Sequence, residues 1–289
     1  MQKLIVLNGG KATREAFESG VKKATFETYK TKEIALHINK NLSVSFLSGN
    51  IPIDFNDSYV FTRLRATDSH FCGLLYEHFE AYNIPANDPI NRSFKFSEEK
   101  ITQMPRLARA GIAIPETIIA REESYAHNKE YILSHIHFPL VFKTDGSKGN
   151  NVYKIDSLQE LEEKIAHKKP HALFLIQEYI ENTYDTRTLV AYKKVLGSIK
   201  RTAQNNTFLN NVSQGSTVSE NKLTSEELSL AIKATQVCDL DFGGVDMIHT
   251  DKGPVILEVN KSPQIKGFES VHGVGSVFKR TAEIIEELF

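Results

Sequence analysis

The sequence predicts an α/β fold, α+β in its later part, in three consecutive units. Three observations predict it. Short apolar strands alternate with helical stretches over the first 95 residues. Two helix starts are written as capping boxes, Ser157-Leu-Gln-Glu160 and Thr224-Ser-Glu-Glu227. Three pairs of apolar strand segments are each joined by a polar connection, within residues 139–155, 187–202 and 243–263. The units expected are 1–95, 96–180 and 181–289.

In the first unit, residues 3–7, 44–47 and 59–62 are strand candidates. Residues 71–82 read as a helix, with Leu74, Leu75, His78, Phe79 and Tyr82 at helical spacing. The second unit opens with a helix over 97–110, with Ser97 as N-cap and Gly111 ending it. Strands follow at 117–119 and 139–143. The polar, Gly/Asn-rich stretch 144–151 then leads to a strand at 152–155, so residues 139–155 form a hairpin. A helix runs from the Ser157 box to about His167, and residues 173–179 form an apolar strand. The third unit has strands at 187–192 and 195–202 about a turn at Lys193-Lys194. A helix then runs from the Thr224 box to about Val237, followed by the 243–263 hairpin and an amphipathic helix over 274–288. No repeats and no low-complexity linker interrupt the chain.

Composition narrows the function classes. A chain of 289 residues with 40% hydrophobic and 25% charged residues is an ordinary globular one. With 35 basic and 36 acidic residues the net charge is −1, so there is no basic excess of the kind that drives nucleic-acid binding. MQKLIVLNGG lacks the apolar core of a signal peptide, and no run is long enough to cross a membrane. A cytosolic protein with no membrane or nucleic-acid partner is expected. Cys72 and Cys238 cannot build a zinc site alone and read as buried free thiols.

The chemistry concentrates late in the chain. Gly243-Gly244-Val245-Asp246-Met247-Ile248 and Val255-Ile256-Leu257-Glu258-Val259-Asn260 read as a hairpin. Glu258 and Asn260, two apart, share a face, and Asp246 meets them across the ladder if the strands pair. Two carboxylates and an amide oxygen suit Mg²⁺, which takes hard oxygen ligands and shares them with substrate phosphates. The alternative is a surface hairpin with its polar residues outward. The apolar run around Glu258 argues for burial instead.

Other positions are weaker singly. Lys143 ends an apolar strand just before the Gly/Asn-rich loop, where a lysine meets phosphate while loop N–H groups cradle oxygens. This is not a Walker A loop, because a strand follows it rather than a helix. Gln177-Glu178-Tyr179-Ile180 stands at a strand end, where a glutamate accepts from an exocyclic amine or simply faces solvent. Asp185-Thr186-Arg187 and Arg201 put two arginines on adjacent strands. Their charges repel unless an anionic ligand lies between them, or unless each pairs separately with Asp or Glu. Asn211 is a further amide ligand or a turn former.

Taken in order, this set resembles the ATP-grasp superfamily and, within it, the RimK-type carboxylate–amine ligases of the alpha-L-glutamate type. Matching residues run from Phe96 to Gly273: Lys100, Gly111-Ile112, Pro115, Lys143, Gly146-Ser147, Gly149, Gln177-Glu178, Asp185-Thr186-Arg187, Arg201, Asn211, Gly215, Asp246, Glu258-Val259-Asn260 and Ser262-Pro263. Arg63-Leu64-Arg65 and Phe71-Cys72-Gly73 match more faintly. The resemblance implies an ATP-grasp fold behind an N-terminal pre-ATP-grasp α/β domain. It also implies ATP held between the second and third units, with the second unit moving to close over it. Lys100 and Lys143 would contact its phosphates, and the loop containing Gly146, Ser147 and Gly149 would close over them. Glu178 would receive the adenine amine beside the backbone of Tyr179 and Ile180, and Gln177 and Asp185 complete the nucleotide set. Asp246, Glu258 and Asn260 would hold two Mg²⁺ ions, with Mn²⁺ as a substitute. Arg187, Arg201 and Asn211 would serve the acyl-phosphate end.

The implied reaction joins a carboxylate to an amine, releasing ADP and phosphate. The substrates would be an amino acid, a peptide or a protein. A peptide-tailoring ligase or macrocyclase shares this chemistry, and a non-catalytic ATP-binding scaffold shares the fold. A homo-oligomer is compatible with all three. Two departures from the family pattern bear on substrate: Asn150-Asn151 after Gly149, and Gln264-Ile265 after Ser-Pro.

Overall fold

The computed structural model describes residues 2–38, 44–48, 51–63, 69–89, 100–144, 151–168, 172–203 and 216–288. Strands β1 (Lys3–Leu7), β2 (Thr25–Tyr29) and β6 (Ser58–Thr62) form a parallel sheet in the order β2-β1-β6. Between them come helix α1 (Lys11–Gly20) and an antiparallel layer of β3 (Ile34–Ile38), β4 (Val44–Ser48) and β5 (Ile51–Pro52). Helix α2 (Ser69–Ala81) follows β6. Strand alternation decides what β1 holds together. Leu4 and Val6 join the core shared with the C-terminal part, while Ile5 and Leu7 join a core with Phe46, Phe55 and Phe79. Gly20 lets α1 lie against the last helix, since a Cβ there would sit 2.4 Å from the Lys279 carbonyl oxygen.

Helix α3 (Lys100–Arg109) ends at Gly111, whose φ of +68° suits glycine. Its predicted N-cap, Ser97, lies outside the described residues. Strands β7 (Thr117–Ala120), β8 (Leu140–Thr144), β9 (Val152–Ile155) and β10 (Phe174–Glu178) form an antiparallel sheet in the order β7-β10-β8-β9. Helix α4 (Glu122–His135), which the sequence did not announce, and α5 (Leu158–Ala166) cover one face. Ser157 caps α5 by accepting from the Glu160 amide, but Glu160 reaches the Asp156 amide rather than that of Ser157, so the predicted box is half formed.

Strands β11 (Tyr184–Ala191), β12 (Lys194–Thr202), β13 (Thr217–Glu220), β14 (Phe242–Thr250) and β15 (Gly253–Asn260) form the largest sheet, in the order β13-β12-β11-β14-β15, all antiparallel. The β11–β12 turn is Tyr192-Lys193, one residue earlier than predicted, and both residues have positive φ (47° and 64°), as a two-residue primed turn demands. The Tyr192 hydroxyl meets that of Tyr59 at 2.7 Å, and its amide donates to the Asp241 carbonyl, which holds the turn in place. One face of this sheet packs on the N-terminal sheet and on α8 (Ser276–Leu288). The other packs on α3 and α6 (Ser225–Val237), whose complete capping box is the predicted Thr224–Glu227 pair. A short helix, α7 (Lys266–His272), connects β15 to α8. No described helix is long and apolar enough to cross a membrane.

Candidate active site

The predicted hairpin forms as β14 and β15. Its register sets Glu258 directly across from Asp246, and Asn260 across from Gly244. Side chains of paired residues share a face, so Asp246, Glu258 and Asn260 converge. A bulge after Asp246 leaves Leu257 without a register partner, which lets the apolar run continue without flipping Glu258 away. The Asn260 amide nitrogen lies 3.5 Å from Asp246 Oδ2.

Two features whose supporting roles sequence reading did not give hold this hairpin. A Cβ on Gly244 would stand 2.6 Å from Pro263 Cβ, so the chain leaving β15 folds back over the bare backbone of Gly244. On the free edge of β15, the buried Gln103 side chain acts as a substitute strand. Its Nε2 donates to the Val259 carbonyl at 2.7 Å and its Oε1 accepts from the Val259 amide at 3.3 Å. The Ile256 amide donates to the Ala113 carbonyl on the same edge. The residue pinned by Gln103 is thus the one between Glu258 and Asn260. Nothing in a helical Gln announces this pairing, which depends on how α3 crosses the sheet. Just past the end of β6, Arg63 reaches the Pro263 carbonyl at 3.4 Å and lies over the Phe278 ring.

The two arginines meet as their strands predict, and the anion between them is Asp246 itself. Arg187 grips it bidentately, Nε to Oδ1 at 2.7 Å and Nη2 to Oδ2 at 2.6 Å. Arg201 Nη2 reaches Oδ2 at 3.0 Å, and its Nε donates to Asp185 Oδ1 at 2.5 Å. Asp185 and Arg201 are register partners on β11 and β12, and Arg187 and Asp246 are register partners on β11 and β14. Arg201 is 2% exposed, Asp246 7% and Arg187 9%, so the network is largely buried.

The two carboxyls are driven apart. Burial pushes Asp246 up, but the guanidinia of Arg187 and then Arg201 outweigh it and hold the group down at about 2. Burial wins at Asp185, which rises to about 6 against the pull of Arg201. Arg201 is raised: burial opposes its charge, and Asp246 and Asp185 restore it.

A second group of predicted residues stands on the four-stranded sheet. Lys143 pairs with Leu175, and Gln177 with Thr117 and Val141, so Lys143 and Gln177 share a face. Gln177 is buried; its Nε2 donates to the Thr117 hydroxyl at 2.7 Å, and among the described residues its Oε1 has no hydrogen-bond partner. Glu178 ends β10 opposite Leu140, on the face that carries Phe142 and Ile176. Tyr179 follows, with the Lys154 ammonium 4.9 Å from its ring centre. Lys100 begins α3. Gly146, Ser147, Gly149 and Asn211 lie outside the described residues, as does Gly215.

The donor set fits a hard divalent cation. Among the described residues no cluster of three or more His, Cys, Asp or Glu side chains is built to hold a metal alone. Asp246, Glu258 and Asn260 instead offer two carboxylates and an amide oxygen. That is the partial set Mg²⁺ uses when phosphate oxygens and water complete its shell.

The fold these sheets build is that of the ATP-grasp ligases. A RiPP-associated ATP-grasp ligase from Chryseobacterium gregarium, solved with ADP and a leader and core peptide, superposes with a TM-score of 0.71 at 14% identity, covering 100% of this chain and 98% of that one. A macrocyclase from Microcystis aeruginosa MRC, solved bound with a precursor peptide, gives 0.70 at 14% identity, covering 99% of each. The family follows from sequence. The RimK-like ATP-grasp domain matches residues 97–285. A probable alpha-L-glutamate ligase from Cellvibrio japonicus (strain Ueda107) is 33% identical over 225 residues, 74% of this chain and 71% of the relative. The chain belongs to the RimK-like ATP-grasp family, and it is an ATP-grasp ligase, as the resemblance implied.

Proposed function

We propose that this ligase joins the amino group of glutamate to a carboxylate on an amino acid, peptide or protein, using ATP. The observation that carries the reading is the convergence of Asp246, Glu258 and Asn260 with Arg187 and Arg201 on one sheet. Curated relatives named for glutamate ligation, at about a third identity, support the choice of amine.

A carboxylate is a poor electrophile. Its oxygen attacks the γ-phosphorus of ATP, the bond to the β-phosphate oxygen breaks, and ADP leaves. The amine then attacks the carbonyl carbon of the acyl phosphate, phosphate leaves with its bonding pair, and the nitrogen gives up a proton. Little covalent work falls to the protein, which positions groups and neutralises charge. In this reading Arg187 and Arg201 face the charge spread over the transferred phosphoryl group. Asp246, Glu258 and Asn260 would hold two Mg²⁺ ions, which would supply Lewis-acid neutralisation of the phosphates. Lys100, Lys143 and the Gly/Asn-rich stretch 144–151 take the phosphates. Glu178, Tyr179 and Ile180 take the adenine edge at the end of β10, and Gln177 stands on the face of Lys143. ATP then lies between the four-stranded and five-stranded sheets, and the unit spanning 96–180 closes over it to exclude water.

The test is incubation with MgATP, glutamate and a panel of amino acids and acid-ended peptides, followed by product masses. A product weighing the sum of two substrates less one water, formed with ADP, supports the reading. Condensation within a single peptide chain, with no glutamate added, assigns the enzyme to peptide tailoring instead.

A further inference from the structure

Asp246 is asked to serve two cations. Its Oδ1 takes Arg187 Nε at 2.7 Å; its Oδ2 takes Arg187 Nη2 at 2.6 Å, Arg201 Nη2 at 3.0 Å and the Asn260 amide at 3.5 Å. A carboxylate has about four acceptor positions, and a bidentate guanidinium covers the pair that lies between its oxygens. A Mg²⁺ ion bonded at about 2.0–2.1 Å wants lone pairs on this same carboxylate and repels a guanidinium held there. Glu258, directly across the ladder, marks the side from which such an ion is held.

The two arginines are not equally free to yield. Arg201 is anchored twice, by Asp185 through Nε and by Asp246 through Nη2, and is almost wholly buried. Among the described residues, the guanidinium of Arg187 has hydrogen bonds to Asp246 alone. Arg201 is therefore fixed, and Arg187 is the movable partner.

We propose that Arg187 and the divalent cation hold Asp246 in alternation. Arg187 grips the carboxylate until cation and nucleotide phosphates arrive, then releases it and turns its guanidinium to the phosphoryl group. The proposal rests on the metal reading above and adds a coupling to it. The Arg187 charge reaches the phosphoryl group only when the metal takes Asp246. By reciprocity, Arg187 weakens metal binding by the same factor that the metal weakens the ion pair.

The test is the binding of MnCl₂ alone to the full chain, read from the electron paramagnetic resonance signal of free aqueous Mn²⁺. The proteins are the parent, Arg187→Met, Arg187→Lys and Asp246→Asn, with folding checked by circular dichroism. Removing the competitor in Arg187→Met is expected to tighten Mn²⁺ binding by about tenfold, within the roughly 5–150-fold range of couplings between sites. Arg187→Lys keeps the charge but loses the fork, and is expected to tighten it by a smaller factor. It stands in if the methionine variant does not fold. Unchanged or weaker binding in a folded Arg187 variant, with binding lost in Asp246→Asn, overturns the alternation and leaves the metal site standing. Mn²⁺ bound equally by Asp246→Asn and the parent, or bound by neither, overturns both.

Discussion

Replacing Asp246 by Asn removes the carboxylate to which, among the described residues, both Arg187 and Arg201 hydrogen-bond. The charges stay and the counter-charge goes. Arg187 loses both of its ion-pair bonds, at 2.6 and 2.7 Å, while Arg201 keeps Asp185. The amide also turns a donor toward guanidinium donors. Unit charges about 4 Å apart interact by roughly 4 kcal/mol at an effective dielectric near 20, and breaking one side of a buried pair costs about 3–5 kcal/mol. At about 2–4 °C per kcal/mol for a chain of this size, Tm measured by circular dichroism should fall by on the order of 10 °C. The control is Asp239→Asn. Its pair with Arg106, at 3.3 Å, is partly exposed, so its loss should cost below about 1 kcal/mol. The acid limb gives an independent check. Asp246 sits at about 2 in the folded chain, below its ordinary value of 3.8. Its contribution, about 2 kcal/mol, is therefore complete above pH 4 and lost as the pH falls toward 2. An Asp246→Asn protein that melts within two degrees of the parent, with an unchanged acid limb, would refute the shared-anion network.

Further predictions concern the supports of the site. Glu258→Gln should abolish metal-dependent turnover while leaving Tm nearly unchanged; normal turnover would break the metal assignment. Gln103→Leu strips the Val259 amide and carbonyl of their side-chain partners, and should lower stability by about 1–3 kcal/mol, read by urea denaturation, with a weaker response to metal. Gly244→Ala drives a methyl into Pro263 and should cost about 1–3 kcal/mol and lower kcat, while Gly253→Ala at the turn end of the same hairpin, with open space around it but φ of +112°, reports backbone strain alone. Burial pushes Asp88 up to about 7, against the pull of Lys261 and of the backbone amides of Phe242 and Asp241. A raised carboxyl favours the folded state only while protonated, so stability should fall by about 4 kcal/mol as pH rises from 4 to 7. Asp88→Asn should flatten that slope in urea titrations.

Most of the fold and part of the candidate site's geometry could be read from residues alone, and the exceptions have physical causes. The strands at 3–7, 59–62 and 152–155 and the α6 capping box are local patterns, and they form as read. Helix α4 gave no periodic signal, because only Tyr125 and Ile132 point inward and Asn128 leaves helical geometry midway. Helix α1 hides for a related reason: its buried side includes Thr13 and Gly20 among Ala16 and Phe17, too little apolar surface to register. At the site, the facing of Asp246 and Glu258 was legible because a hairpin with a two-residue period permits little else. The identity of the anion between the arginines was not, because β11 pairs with β14 across more than fifty intervening residues. Gln103, Gly244 and Pro263 are likewise supports whose work depends on tertiary crossings.

The central claim is ATP-driven activation of a carboxylate before amide formation, and oxygen transfer tests it most directly. With MgATP, glutamate and an acceptor whose carboxylate carries ¹⁸O, the account predicts that one ¹⁸O appears in the released phosphate for each amide bond formed. Amide product with no ¹⁸O in phosphate would contradict the acyl-phosphate route, and a chain that neither binds MgATP nor forms ADP would contradict the ligase reading as a whole.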